Sequence, residues 1–113
     1  MIVWGGDNTG DVTGGRYYPA TDSWLPTSTG VGVPPHRNSL TSVWTGKEMI
    51  VWGGYNGFSA LNTGGRYNPV TNSWIPVTLT GAPTARYGHS AVSTGAKMII
   101  WGGFDNSGGR YDP

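Results

Sequence analysis

The sequence predicts an all-β fold: a segment of a β-propeller built from four-stranded antiparallel blades, one complete blade flanked by two incomplete ones. Three observations carry this prediction. The run Met1-Ile2-Val3-Trp4-Gly5-Gly6 recurs at Met49 and, with Ile for Val, at Met98, at spacings of 48 and 49 residues. A second block, GGRYYPATDSWLP from Gly14, recurs from Gly64 as GGRYNPVTNSWIP with nine of thirteen positions identical, and begins again at Gly108 as GGRYDP. No helical periodicity runs inside the period; Ala, Glu, Lys and Leu are scarce, while Gly, Thr, Ser, Val and Trp are plentiful. A period near 49 filled with short strands is the mark of a propeller blade.

Four strands are expected per unit, lettered a to d. Strand a covers roughly Ser39–Thr45 and Ser90–Thr94. Strand b covers Glu48–Trp52 and its copies, strand c Gly65–Tyr67 and its copies, and strand d Ser23–Thr27 and Ser73–Val77. Thr45-Gly46-Lys47 and Thr94-Gly95-Ala96 supply the a–b turns. Asn68-Pro69-Val70-Thr71-Asn72 and Tyr18-Pro19-Ala20-Thr21-Asp22 supply the c–d turns, with a proline that presets φ. The chain then reads as a partial blade over 1–35 (b, c, d), a complete blade over 36–85 and a partial blade over 86–113 (a, b, c). A propeller has about four to eight blades. Both chain ends fall inside a repeat, so the expectation is an internal segment whose partners include the remaining blades. Assembly with copies of itself is the rival.

The composition fits once the period is seen. Glycine and proline make up 28 of 113 residues, and Leu, Ile, Val and Phe together only 20. Those figures border on low complexity. A net charge of +1 with six Trp and six Tyr opposes disorder. Twelve of the 20 glycines form six pairs, and seven of the eight prolines lie at repeat-matched positions. Large rings can cover paired glycines. Trp24 and Trp74 on strand d, Tyr17, Tyr67 and Tyr111 on strand c, and Trp4, Trp52 and Trp101 on strand b are therefore expected to build blade cores and the contacts between blades. Cysteine is absent, which removes disulfides and thiol chemistry without fixing the compartment. No apolar run reaches transmembrane length, no basic region precedes an apolar stretch at the N-terminus, and no Lys/Arg cluster suits nucleic acid.

The double glycine after strand b, followed by a Tyr and then a Trp seven residues on, resembles the kelch repeat. Here these are Gly53-Gly54, Tyr67 and Trp74, and again Gly5-Gly6, Tyr17 and Trp24; Gly102-Gly103 opens a third copy. Arg86-Tyr87-Gly88-His89-Ser90 resembles the family's start of strand a. The earlier copy keeps Arg37 but has Leu40 and Thr41 where His89 and Ser90 stand. The added Gly-Gly-Arg-Tyr of strand c is similar to bacterial kelch repeats, which points to an exported or cell-surface setting with the cytoplasm left open. Some propellers of this kind carry copper-radical oxidase or sialic-acid mutarotase activity. The first uses a Cys–Tyr cofactor, and this chain has no Cys.

In a meander, the b–c and d–a connections share one edge of every blade. The copies vary most there: DNTGDVT over 7–13, YNGFSALNT over 55–63 and FDNS over 104–107. Variable loops on a rigid scaffold carry recognition. Tyr55, Asn56, Phe58, Phe104 and Asp105 are the expected contact residues, with Asp7 and Asp11 beside them. The resemblance adds Arg37 and Arg86 as residues near a ligand, with a structural role as the alternative. Arg16, Arg66 and Arg110 recur in every copy and read as structural. Two scattered histidines and a single Glu at the opposite edge give no acid–base pair and no metal-ligand set, and the Asp-rich turns lack the calcium-loop pattern. No cofactor and no catalytic residue are expected. The function expected is that of a non-catalytic binding or scaffold module recognising protein or glycan. The alternatives are the propeller portion of a larger carbohydrate-active enzyme and a structural repeat of a surface or filament protein.

Overall fold

The computed structural model describes all 113 residues. It contains ten short strands and no helix: β1 (Ile2–Trp4), β2 (Gly14–Tyr18), β3 (Ser23–Pro26), β4 (Thr41–Trp44), β5 (Met49–Trp52), β6 (Gly64–Asn68), β7 (Ser73–Pro76), β8 (Ser90–Ser93), β9 (Met98–Trp101) and β10 (Gly108–Tyr111). They form three antiparallel sheets in meander order, β1-β2-β3, β4-β5-β6-β7 and β8-β9-β10. The strand sequence is b-c-d, a-b-c-d, a-b-c, as expected, and the three sheets are fewer than the blades of a closed propeller.

Local chemistry sets the strand ends. Strand a begins at Thr41 and not Ser39, because Ser39 has φ 49° and bends the chain; Gly88 makes the same bend with φ 64° ahead of β8. Glu48 belongs to the a–b turn: the Thr45 amide donates to its carbonyl at 3.0 Å, and its own amide donates to Thr45 Oγ1 at 3.1 Å. The c–d turns end on Asp22 and Asn72, both left-handed. The strand c tyrosines fasten them, Tyr17 Oη donating to Asp22 Oδ1 at 2.9 Å and Tyr67 Oη to Asn72 Oδ1 at 2.5 Å.

The apolar core lies between blades. Strand β5 is buried on both faces, and its side chains alternate. Met49 and Val51 join Trp4 of the first blade with Tyr67 and Trp74. Ile50 and Trp52 join Val77 with Met98 and Ile100 of the third. Register assembles each layer, setting Met49 opposite Tyr67 and Tyr67 opposite Trp74. Trp74 reaches across to Trp4 with ring centroids 5.2 Å apart, and its Nε1 donates to Ser28 O at 3.0 Å. The strand b tryptophans thus pack between blades wherever a following blade is present. Trp101 has none after it and is exposed, as is half of Trp24.

Two glycines show why side chains are excluded. A Cβ on Gly65 would lie 2.6 Å from Pro34 Cγ and 3.1 Å from the Trp74 ring. Gly53 has φ +69°, and a Cβ there would sit 2.5 Å from His89 Cε1 and 2.9 Å from the Arg86 carbonyl. The first lets a ring lie on the sheet; the second lets the next blade's backbone approach, so that the Gly54 amide donates to Arg86 O at 2.9 Å.

Candidate recognition face

The b–c and d–a connections meet at one edge and are stitched together by backbone. Asn38 and Tyr55 exchange hydrogen bonds at 2.9 Å each way, and the Arg86 amide donates to Leu61 O at 3.0 Å. Each b–c loop is closed at its base, Gly53 N donating to Thr63 O at 3.0 Å and Gly102 N to Ser107 O at 2.9 Å.

Arg37 and Arg86 lie beneath this face. Each is only 1 % exposed, enclosed by the loops it supports. Their donors are spent on the loops. Arg37 Nε donates to Pro35 O, Nη1 to Gly53 O at 3.1 Å and Thr63 O at 2.6 Å, and Nη2 to Thr63 Oγ1 at 3.0 Å. Arg86 repeats the pattern on Thr84, Gly102 and Ser107, with Nη1 to Gly102 O at 2.8 Å and to Ser107 O at 2.7 Å. A buried guanidinium is tolerated because its planar fork meets carbonyls at Nε and Nη1 and hydroxyls at Nη2. Burial lowers the Arg37 pKa to about 10, so it keeps its charge at neutral pH. Arg86 also carries an ion pair, Nη1 to Asp105 Oδ1 at 3.2 Å. Hydrogen bonds from Ser107 and then the Arg86 charge hold the Asp105 carboxyl below its usual range.

The remaining sequence-predicted residues divide by exposure. Phe58 is 93 % and Phe104 61 % exposed at the loop tips. Tyr55 is half-buried, because its backbone bridges to both Asn38 and Ala60; it is not a free tip residue. Asn56 is also half-buried and turns inward on its own loop, Oδ1 accepting from the Phe58 and Ser59 amides at 2.9 and 2.8 Å. Asp7 accepts from the Thr9 amide at 3.0 Å, which lowers its pKa, and lies 3.8 Å from His36 Nδ1.

Tyr87 was not among the expected contact residues. Its ring packs edge-to-face with Tyr55 at 5.3 Å and with Phe104 at 4.5 Å, making one aromatic row across the second and third blades. The row continues through Asn38 to Asn8, whose Oδ1 accepts from Asn38 Nδ2 at 2.5 Å. Tyr87 stands where the other copy has Asn38, so variation beside a repeated arginine was the available signal.

His89 is buried against Trp52, its ring centroid 5.3 Å away and edge-on, with Nε2 2.7 Å from Thr41 Oγ1. Burial first, and the Arg86 charge second, lower its pKa. A cleft of about 470 Å³ lies away from the loop face. Met1, Ile2, Val43, Trp44 and Met49 are among its lining residues, beside the unpaired edge of β1 where a fourth strand would pair.

A family model described as the KLHDC2/KLHL20/DRC7 Kelch-repeats domain matches residues 1–112. No curated protein matches the chain. The match supports the kelch assignment and does not extend to the bacterial subtype suggested by strand c. Three meander sheets, a glycine pair closing every strand b and a Tyr–Trp pair across strands c and d agree with that match over nearly the whole length, and the chain belongs to the kelch-repeat family.

Proposed function

We propose that the chain is a binding module that engages a protein or a glycan through its b–c and d–a loops, with no catalytic step of its own. The observation that carries this reading is the aromatic row of half-buried Tyr55 with the accessible Tyr87 and Phe104, set among loops that differ between copies while their bases are pinned alike. Aromatic side chains with small polar neighbours are the usual composition of contact surfaces. Further blades, from the same chain or from other copies, complete the ring around it.

The test begins with ligands selected from a peptide-display library and a glycan array. Tyr55→Ala with Phe58→Ala is expected to keep the fold, by circular dichroism, and to weaken binding of the selected ligands about tenfold or more. Trp52→Ala serves as the unfolding control. Ligands that bind the double variant as well as the parent would place recognition elsewhere. A double variant as unfolded as Trp52→Ala would make these residues core.

A further inference from the structure

We infer that the loop face takes an extended peptide segment bearing Lys or Arg, an inference that rests on the recognition reading above. Two independent features of the surface carry it: the geometry of the rings and the distribution of charge.

The rings of Tyr55, Tyr87 and Phe104 are crossed, with interplanar angles of 62° and 87° and centroid steps of 5.3 and 4.5 Å. A pyranose ring stacks best on a flat, open ring face, and crossed rings offer a corrugated one. An extended chain advances about 3.4 Å per residue, so the row spans a few residues of backbone and offers furrows for side chains. Phe58 stands free at one loop tip to cover such a segment.

Charge is sorted by face. The exposed carboxylates on the loop side are Asp7 and Asp11 in the first b–c loop and Asp105 in the third; Asp7 lies 3.8 Å from His36 Nδ1, Asp105 is paired with the buried Arg86, and Asp11 has no cationic partner. The two cations on that side, Arg37 and Arg86, are enclosed and donate to carbonyls. The other five Lys and Arg side chains belong to strand c (Arg16, Arg66, Arg110) or the a–b turns (Lys47, Lys97). A row of ring faces and edges with Asp105 next to Phe104 at one end, and Asp7 next to Asn8 at the other, suits a cation over an aromatic ring with a carboxylate beside it. A carboxylate-bearing or anionic ligand would meet three exposed carboxylates and no exposed Lys or Arg.

A positional-scanning library of capped hexapeptides, read by fluorescence anisotropy on the full chain, tests this. Selection of Lys or Arg in at least one position is expected. For the selected peptide, Phe104→Ala should weaken binding about 2- to 5-fold, and Asp7→Asn with Asp105→Asn about 3- to 10-fold, with unfolding midpoints measured alongside. Added salt should weaken binding to the parent and leave the Asp-to-Asn variant less affected. No selection, or selection of acidic or uncharged residues that Phe104→Ala still weakens, overturns the basic-peptide inference while leaving the face as the binding surface. Binding to a glycan array in place of the peptides, lost in Phe104→Ala, does the same. A Lys/Arg-selected peptide indifferent to Phe104→Ala and to the Asp pair overturns both the inference and the recognition reading. If the Asp105→Asn member proves unfolded, Asp7→Asn alone is read, with a smaller weakening expected.

Discussion

Trp24 and Trp74 occupy the same place in near-identical sequences, SWLP and SWIP, and differ in what lies beyond their own blade. Trp74 is 4 % exposed, touches Trp4 across the blade interface and Tyr67 within the blade at 5.0 Å, and donates its indole N–H to Ser28 O. Trp24 is 50 % exposed and keeps only the partner within its blade, Tyr17 at 5.1 Å. A fully buried Trp costs about 3–5 kcal/mol on truncation to Ala. Half the buried area of an aromatic side chain, at about 25 cal/mol per Å² and with no ring from another blade, gives about 2–3 kcal/mol for Trp24. Trp74→Ala should therefore destabilise the chain by about 1–2 kcal/mol more than Trp24→Ala. Urea unfolding followed by far-UV circular dichroism reads the difference as a lower midpoint for Trp74→Ala at similar slope. Trp74→Phe should fall between the two, keeping a ring and losing the N–H. Equal losses for the two alanine variants would refute the claim that the stabilisation lies between blades.

Two further outcomes follow from the buried polar groups. His89, whose usual value is 6.5, has a lowered pKa in the fold. The unfolded chain therefore takes up the proton first, so its contribution is complete above about pH 6.5 and is lost as the pH falls through 6.5 toward the folded value. His89→Leu, copying Leu40 at the matching place, should flatten that part of a stability-against-pH curve measured by urea unfolding; an unchanged slope would assign it to other groups. Arg86→Lys should cost about 2–4 kcal/mol and speed amide hydrogen exchange at Gly102, since a point charge on a flexible stem cannot reproduce the fork. A variant with parental exchange at Gly102 would show that the guanidinium does not hold the loop.

Much of this fold was legible because each blade repeats the same solutions. The apolar run of strand b, read from its recurrence alone, is buried on both faces because its blade lies between two others, and the alternation of Met49 and Val51 against Ile50 and Trp52 follows from the two-residue period. The tryptophan and tyrosine positions were legible for the same reason. The arginines were not. Whether a recurring Arg points to solvent or inward depends on carbonyls supplied from Thr63 and Ser107, far along the chain, and sequence spacing carries no record of them. Tyr55 is a related case: its side chain is of a recognition type, while its backbone is engaged in a bridge to Asn38 that the sequence does not show. Tyr87 was hidden by its position, lying in strand a's leading block and outside the loops whose variation drew attention.

The arginine clamp also explains how the loops can differ so much on a constant frame. Arg37 closes the loop between Gly53 and Thr63, and Arg86 closes the much shorter loop between Gly102 and Ser107. Both bind the loop through backbone carbonyls and a hydroxyl just before strand c. Few side-chain identities inside the loop enter the clamp, and Asp105 is the one charged residue recruited into it. A mutation at Phe58 or an insertion beside it leaves the carbonyls at Gly53 and Thr63 where they are, so the energetic penalty stays local. The buried interblade core is likewise built from strands b, c and d together with Val77, just past β7, and of the b–c loops Val12 alone packs against it. Stability and recognition are therefore carried by different residues of the same repeat. That separation is the physical reason the exposed aromatic row can change from blade to blade while the glycine pair beneath it does not.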